Sequence, residues 1–354
     1  MIYFIILIFL TLLSGLLYKS QIISKKTACI IISLYAIIIF GIRTENVGNV
    51  DVPRYVNSYE TLKFLNFSQL GIYFIKDPGF YYFSKILSFL FPSYNIWFAA
   101  IGTLLIISVS TLIFKFSNKL IMSYIIFFTF TYTLSFSLLR HCSALALVIS
   151  GYIALKEDKI NKTILMLLLA SLFHLSAISA FLMIPLKKIK FGLWNILMVV
   201  AAPIIPLTIP DLLTKILAIL NMERMDYYAK NEVMTLTQTA FIINLILFAL
   251  VLFLILLKSK EYKNKYSFEL NMFSVGIALY ALVGILAEFY RIAMFFSFVL
   301  IILLPNVLNE FKKSTNKIFI NAFGFVIGVM LLIYFFFFDL HNHELIPFEV
   351  INIL

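Results

Sequence analysis

Apolar runs alternate with short polar stretches along almost the whole chain: 1–18, 27–42, 79–91, 94–114, 120–139, 141–155, 163–185, 192–209, 239–257, 268–287, 292–308 and 318–338. A helix that crosses a bilayer needs about 20 apolar residues, and most of these runs approach that length. The run 239–257 is apolar on every face, whereas the strands of a membrane barrel alternate apolar and polar positions. Backbone in lipid must satisfy its own hydrogen bonds, so the runs read as helices. The expected fold is therefore all-α, a polytopic integral membrane protein. The first run opens MIYFIILIFL without a basic n-region or an A-x-A-like exit, so it reads as a retained span. No internal repeat, low-complexity segment or linker divides the chain. It is read as a single transmembrane domain, 1–354, with two longer polar loops at 43–78 and 210–238.

Composition agrees: 62% hydrophobic residues, 13% charged residues and a mean hydropathy of +1.02 exclude a soluble chain. The net charge of +11 comes mostly from lysine clusters between runs: Lys19/Lys25/Lys26, Lys115/Lys119, Lys156/Lys159/Lys162, Lys187/Lys188/Lys190, Lys258 to Lys265 and Lys312/Lys313/Lys317. Membrane orientation accounts for them, and no nucleic-acid partner is expected. If these loops are cytoplasmic, both termini and both long loops face outward. Parity then allows only one of 79–91 and 94–114 to cross. The shorter, about 20 Å as a helix, is the natural partial piece. Run 163–185 lies between two lysine clusters, so it enters and returns, with a break near Ser171–His174. The alternative puts Lys187/Lys188/Lys190 outside and breaks the Pro203/Pro206/Pro210 stretch. The preferred count is about ten crossings plus two partial or re-entrant helices.

The 5 arginines avoid the lysine clusters. Arginine presents a planar fork that grips phosphate or carboxylate, so this separation suggests an anion bound at one face. Arg43 ends a run and opens the loop GIRTENVGNVDVPRYVNSYE (41–60). There Asp51, Tyr55 and Tyr59 are spaced to share one face of a helix, with Pro53 in its first turn and Arg54 beside them. The loop closes with Lys76-Asp77-Pro78-Gly79. Arg140 lies in TYTLSFSLLRHCSALALVI, where a charge is costly unless it is paired or lines a wet cavity. His174 sits in LLLASLFHLSAISAFL, where a neutral imidazole is either a bonded core residue or a base. The second loop carries Arg224, Asp226, Tyr227 and Tyr228. Glu288, Tyr290 and Arg291 follow between two runs, either as a structural ion pair or as part of a site. Cys29 and Cys142 form neither a disulfide framework nor a metal cluster. No Walker loop, HExxH, GxSxG or CxxC occurs, so no metal site and no cofactor are expected.

The ordered set G-I-R-T-E-N-V-G-N-V-D-V-P-R-Y, D-P-G-F-Y, L-L-R-H-C-S-A, L-F-H-L-S-A and E-F-Y-R resembles the EpsG-like and Wzy-type polysaccharide polymerases over nearly the whole chain. His141 stands where such proteins often carry glutamine. The resemblance implies a GT-C-like architecture in the bacterial inner (plasma) membrane. It also implies an enzyme joining polyprenyl diphosphate-linked oligosaccharide repeats into O antigen, capsule or exopolysaccharide on the outer, periplasmic face. Implied partners are membrane lipid, a flippase and a chain-length regulator. Arg43, Asp51, Tyr55, Asp77, Gly79, Arg140, His174 and Arg291 match its motifs. On this reading Arg140, Arg291 and Arg43 hold the diphosphate, and His174 or Asp51 assists the attacking hydroxyl. Arg54, Tyr55, Asp77, Arg224, Tyr228, Glu288 and Tyr290 would contact substrate. An O-antigen ligase or another polyprenyl-phosphate glycosyltransferase is the enzymatic rival. A flippase for the same lipid is the non-enzymatic one, and a membrane O-acyltransferase is weaker because it has no need of the arginines.

Overall fold

The computed structural model describes residues 1–49, 51–74, 76–205, 233–257, 260–283, 288–313 and 317–350. Among these every regular element is helical. The one strand-like pairing is a single antiparallel bridge between Arg43 and Val350. Five helices are long and apolar enough to cross a membrane: Ile2–Lys19, Lys25–Ile42, Tyr94–Phe116, Glu288–Asn309 and Asn321–Asn342. With shorter apolar helices beside them, the chain is an all-α polytopic membrane protein.

The helices gather into two compact units, Met1–Ile178 with Leu308–Leu354, and Ser179–Val307. The first contains α1 (Ile2–Lys19), α2 (Lys25–Ile42), α3 (Asp51–Leu62), α4 (Phe67–Tyr73), α5 (Pro78–Leu90) and α6 (Tyr94–Phe116). It continues with α7 (Leu120–Phe127), a π turn (Phe128–Tyr132), α8 (Thr133–Ser135), α9 (Leu139–Lys156) and α10 (Ile160–Phe173). Helix α6 lies against both α2 and α9, and α9 packs along α10. Lipid gives helices no hydrophobic reason to associate, so hydroxyl contacts matter. Ser33 Oγ lies 2.6 Å from Ser110 Oγ, which lies 2.8 Å from Tyr124 Oη, tying α2, α6 and α7 in one buried chain. In the second unit, Ser267–Ala281 packs against Leu193–Ala201, Val233–Leu256 and Glu288–Ser297. Its Leu270, Met272, Phe273 and Ile277 are buried, and so are its polar Glu269, Asn271 and Ser274; Asn271 Nδ2 donates to the Leu186 and Ile189 carbonyls.

The helix ends depart from the expected runs. Run 120–139 stops at Ser135, because the Phe136 carbonyl accepts from Arg43 instead of extending the helix, and Ser137 Oγ accepts from the Asn49 N–H. Run 163–185 stops at Phe173, and His174 is extended before a 3-10 segment, Leu175–Leu182. This is the break expected near Ser171–His174. Helix Val233–Leu256 begins inside the expected loop 210–238, whose remainder lies outside the described residues. Ten uninterrupted crossings are not evident among the described helices, since Leu120–Ser135, Ile160–Phe173 and Phe241–Leu256 are shorter.

The chain end roofs the first loop. Gly48 N–H donates to the Glu344 carbonyl (3.2 Å) and Thr44 N–H to the Glu349 carbonyl (3.1 Å). The Glu349 carboxylate accepts from Thr44 Oγ1 and Asn46 Nδ2, and the Phe348 ring packs on Tyr3 and Phe4.

Ser110→Ala and Tyr124→Phe should each cost about 0.6–2 kcal/mol, as interhelical hydrogen bonds do in membranes. Reversible unfolding in mixed micelles would measure this. The double variant should cost less than the sum, because both changes remove the same contact.

Candidate active site

Four expected residues converge in the first unit: Tyr55, Asp77, Arg140 and His174. Asp77 is the hub. It precedes Pro78, which opens α5, and adopts a left-handed backbone conformation (φ 56°, ψ 52°) that aspartate tolerates better than most residues. Its side chain is only 6% exposed. Oδ2 accepts from Arg140 Nη1 at 2.8 Å and lies 3.3 Å from His174 Nδ1, while Oδ1 accepts from the Leu175 N–H at 3.1 Å. One carboxylate thus joins the first turn of α9, the end of α10 and the start of the 3-10 segment.

Local sequence makes this convergence possible. Gly79 faces the last turn of α10, and a Cβ there would come within 2.8–2.9 Å of Leu172 Cβ and its backbone carbonyl. Only glycine lets α5 approach that closely, two residues before His174. The break at Phe136–Leu138 places Arg140 at the second residue of α9, where its guanidinium can leave the helix axis toward Asp77. Arg140 Nε also donates to Tyr55 Oη at 3.3 Å, and the cation lies 5.5 Å from the Tyr55 ring centroid. The Arg140 side chain is 30% exposed, and the hydrogen bonds described for it use Nε and Nη1.

The electrostatics follow from this geometry. Burial raises the Asp77 carboxyl, but the hydrogen bond and charge of His174, the charge of Arg140 and the Leu175 N–H outweigh it. The net result lies below the ordinary carboxylate value. Asp77 is therefore an anion and only accepts hydrogen bonds, so the His174 Nδ1 that faces it carries a proton. The other ring nitrogen, Nε2, is enclosed and makes no hydrogen bond among the described residues. The His141 ring stands edge-on to His174, with centroids 5.5 Å apart.

Tyr81 completes the group and was absent from the expected set. Burial raises its phenol, the charge of Arg140 opposes, and Tyr55 and Asp77 add to the rise. The signal was the spacing from Asp77 to Tyr81: four residues from a helix cap bring a side chain back over the cap.

Other expected residues lie elsewhere. Arg43 does not present its fork to a ligand. It is fully buried; Nη1 donates to the carbonyls of Val47 (3.0 Å) and Phe136 (2.7 Å). Its guanidinium lies 4.1–4.8 Å from the ring centroids of Phe98, Phe40 and Phe136. Guanidinium stacks readily on aromatic faces and is weakly hydrated, which suits arginine and not lysine to this place. Asp51 bonds Arg54 on the same turn of α3 at 3.2 Å, so neither reaches the cluster; Tyr59 is buried, stacked on Trp97. In the second unit, Arg291 Nη1 bonds Glu288 Oε1 at 2.5 Å, and Tyr290 packs against Tyr280. Arg224 and Tyr228 lie outside the described residues. No group of three or more histidine, cysteine, aspartate or glutamate side chains suited to a metal ion occurs among the described residues.

The EpsG family model matches residues 26–350, a range that includes every residue of the cluster. The chain belongs to the EpsG family. Neither a curated protein nor a solved structure matches it. Membership in the EpsG family supports a polysaccharide-polymerase-like role in a membrane.

Asp77→Asn should weaken the fold more than Asp51→Asn, whose partner is exposed. Because folding lowers the Asp77 pKa, its stabilising contribution is present above the ordinary carboxylate value and is lost as pH falls through the folded value. The stability gap between wild type and Asp77→Asn in a pH series of thermal unfolding should therefore be flat near neutrality and close on acidification. Gly79→Ala should cost about 1–3 kcal/mol by overpacking α5 against α10.

Proposed function

We propose that this EpsG-family protein is a glycosyltransferase. It joins polyprenyl diphosphate-linked oligosaccharide repeats into a longer polysaccharide at the outer face of the bacterial plasma membrane. The observation that carries this reading is the convergence of a partly exposed Arg140 and a carboxylate-oriented His174 on Asp77. An acceptor hydroxyl attacks the anomeric carbon of the donor sugar. The bond from that carbon to the diphosphate oxygen breaks, and polyprenyl diphosphate leaves with the electron pair.

Charge grows on the leaving diphosphate as this bond lengthens. Arg140 has donors on Nη2 to meet it, and Asp77 with Tyr55 holds the guanidinium plane fixed, so little reorganisation is needed. The amino end of α9 adds its own positive potential. The hydroxyl proton passes to His174 Nε2 once the side chains enclosing that nitrogen part to admit the acceptor, and Asp77 stabilises the imidazolium that forms. General-base help of this kind typically supplies about 10²–10⁴-fold. Tyr81 offers its phenol to the sugar, while Tyr55, buried under Arg140, steadies the guanidinium and lies close to the bound substrate. Arg291, Glu288 and Tyr290 are proposed to contact substrate, as are Arg224 and Tyr228. Arg43 instead supports the turn before Arg140.

Purified protein given one lipid-linked repeat as both donor and acceptor should form a ladder of products. Arg140→Ala should abolish the ladder at wild-type protein levels, and His174→Ala should slow it by about 10²-fold or more. An O-antigen ligase would form no ladder from that single substrate. A normal ladder from both variants would refute the assignment.

A further inference from the structure

Helix α5 carries Asp77 at one end and an exposed apolar stripe along one side. Tyr82, Ile86 and Phe89 recur at i, i+4 and i+7, with Leu90 beside them, and are 40–66% exposed. The opposite side is closed: Ser84 is buried, and Trp97 Nε1 donates to Ser84 Oγ at 3.1 Å. On the flank, buried Lys85 caps the Leu62 carbonyl at 2.6 Å and lies 4.2 Å from the Phe89 ring centroid. Phe67 of α4 extends the stripe, its ring 6.2 Å from Tyr82 and 5.9 Å from Phe89. Monomeric soluble proteins do not leave such a row in water without a partner.

Connectivity says what covers it. Helix α6 is one of the helices long enough to cross, and it starts at Tyr94, four residues after α5 ends. The end of α5 is therefore tethered to the membrane boundary. Ile96, on the first turn of α6, is exposed as Phe89 and Leu90 are at the end of α5. At 13 residues, α5 reaches about 20 Å, short of the roughly 30 Å hydrocarbon core. A helix of this kind, apolar on one side and too short to cross, lies in the interface.

We propose that α5, with Phe67 of α4, is an interfacial helix whose stripe is covered by lipid at the boundary where α6 enters the membrane. The partner is the bilayer surface, not another protein. Resting on the function proposed above, this would hold Asp77 and its cluster at headgroup depth, where the diphosphate of a lipid-linked donor lies.

The test is a depth measurement on the full chain in vesicles of phosphatidylcholine and phosphatidylglycerol. Nitroxide labels are placed singly at Ile86→Cys and Phe89→Cys, with Arg54→Cys as a reference whose native side chain is 78% exposed. Native Cys29 and Cys142 are buried, so the wild-type chain should take up no label. Both stripe labels should relax several-fold more with oxygen, which partitions into lipid, than with a water-soluble nickel chelate. The Arg54 label should show the reverse. Stripe labels as open to nickel as the reference would overturn the proposal, as would labels shielded from both reagents, which would mean a protein covers the face. The readout needs no turnover. A chain that forms no ladder yet shows these depths defeats the enzymatic reading and leaves the interfacial one standing.

Discussion

The Asp77 carboxylate is the constraint on which the cluster depends. A buried anion survives only where donors surround it. Here the donors come from three places that the sequence keeps far apart: Arg140, His174 and the Leu175 amide. Each also sits at a helix boundary. The carboxylate therefore ties the first turn of α9 to the end of α10, besides marking a chemical site. Both its oxygens are occupied, and two donors share one of them.

The described arginines differ in what surrounds them. Arg43 is a structural cation, held by aromatic rings and two carbonyls, and its grip on the Phe136 carbonyl creates the turn from which Arg140 emerges. Arg140 is partly exposed and retains donors at its outer edge. Arg54 is solvated beside Asp51, and Arg291 is closed by Glu288 on its own helix turn. The same fork is put to four uses, and the surroundings of each side chain decide which.

Much of the helical layout was legible in the chain. The apolar runs at 1–18, 27–42, 79–91 and 94–114 became α1, α2, α5 and α6 with boundaries shifted by at most two residues, because lipid-length hydrophobicity is a strong signal. The break at His174 was legible from charge parity. The break at Phe136–Leu138 was not, because its cause is a side chain 93 positions earlier that takes a helix carbonyl. Local pattern carries no trace of such a contact. For the same reason Arg43 looked like a ligand-binding residue: sequence shows that a guanidinium is near an apolar run, not that three rings close over it. Asp77 was recognised as a contact residue, but its central position required the approach of α5 to Leu172 that Gly79 permits.

The roof over the first loop has a bearing on how the protein is made. Thr44 and Glu349, which bond each other, are separated by 305 positions in the chain. During synthesis, the loop that follows α2 emerges early, yet its closing partners are translated only after the helix Asn321–Asn342. Membrane insertion of the early helices thus precedes completion of their own connecting loop. A nascent chain stalled before that point would have its spans in place and its first loop still open. Closure of that loop waits on residues 344–349.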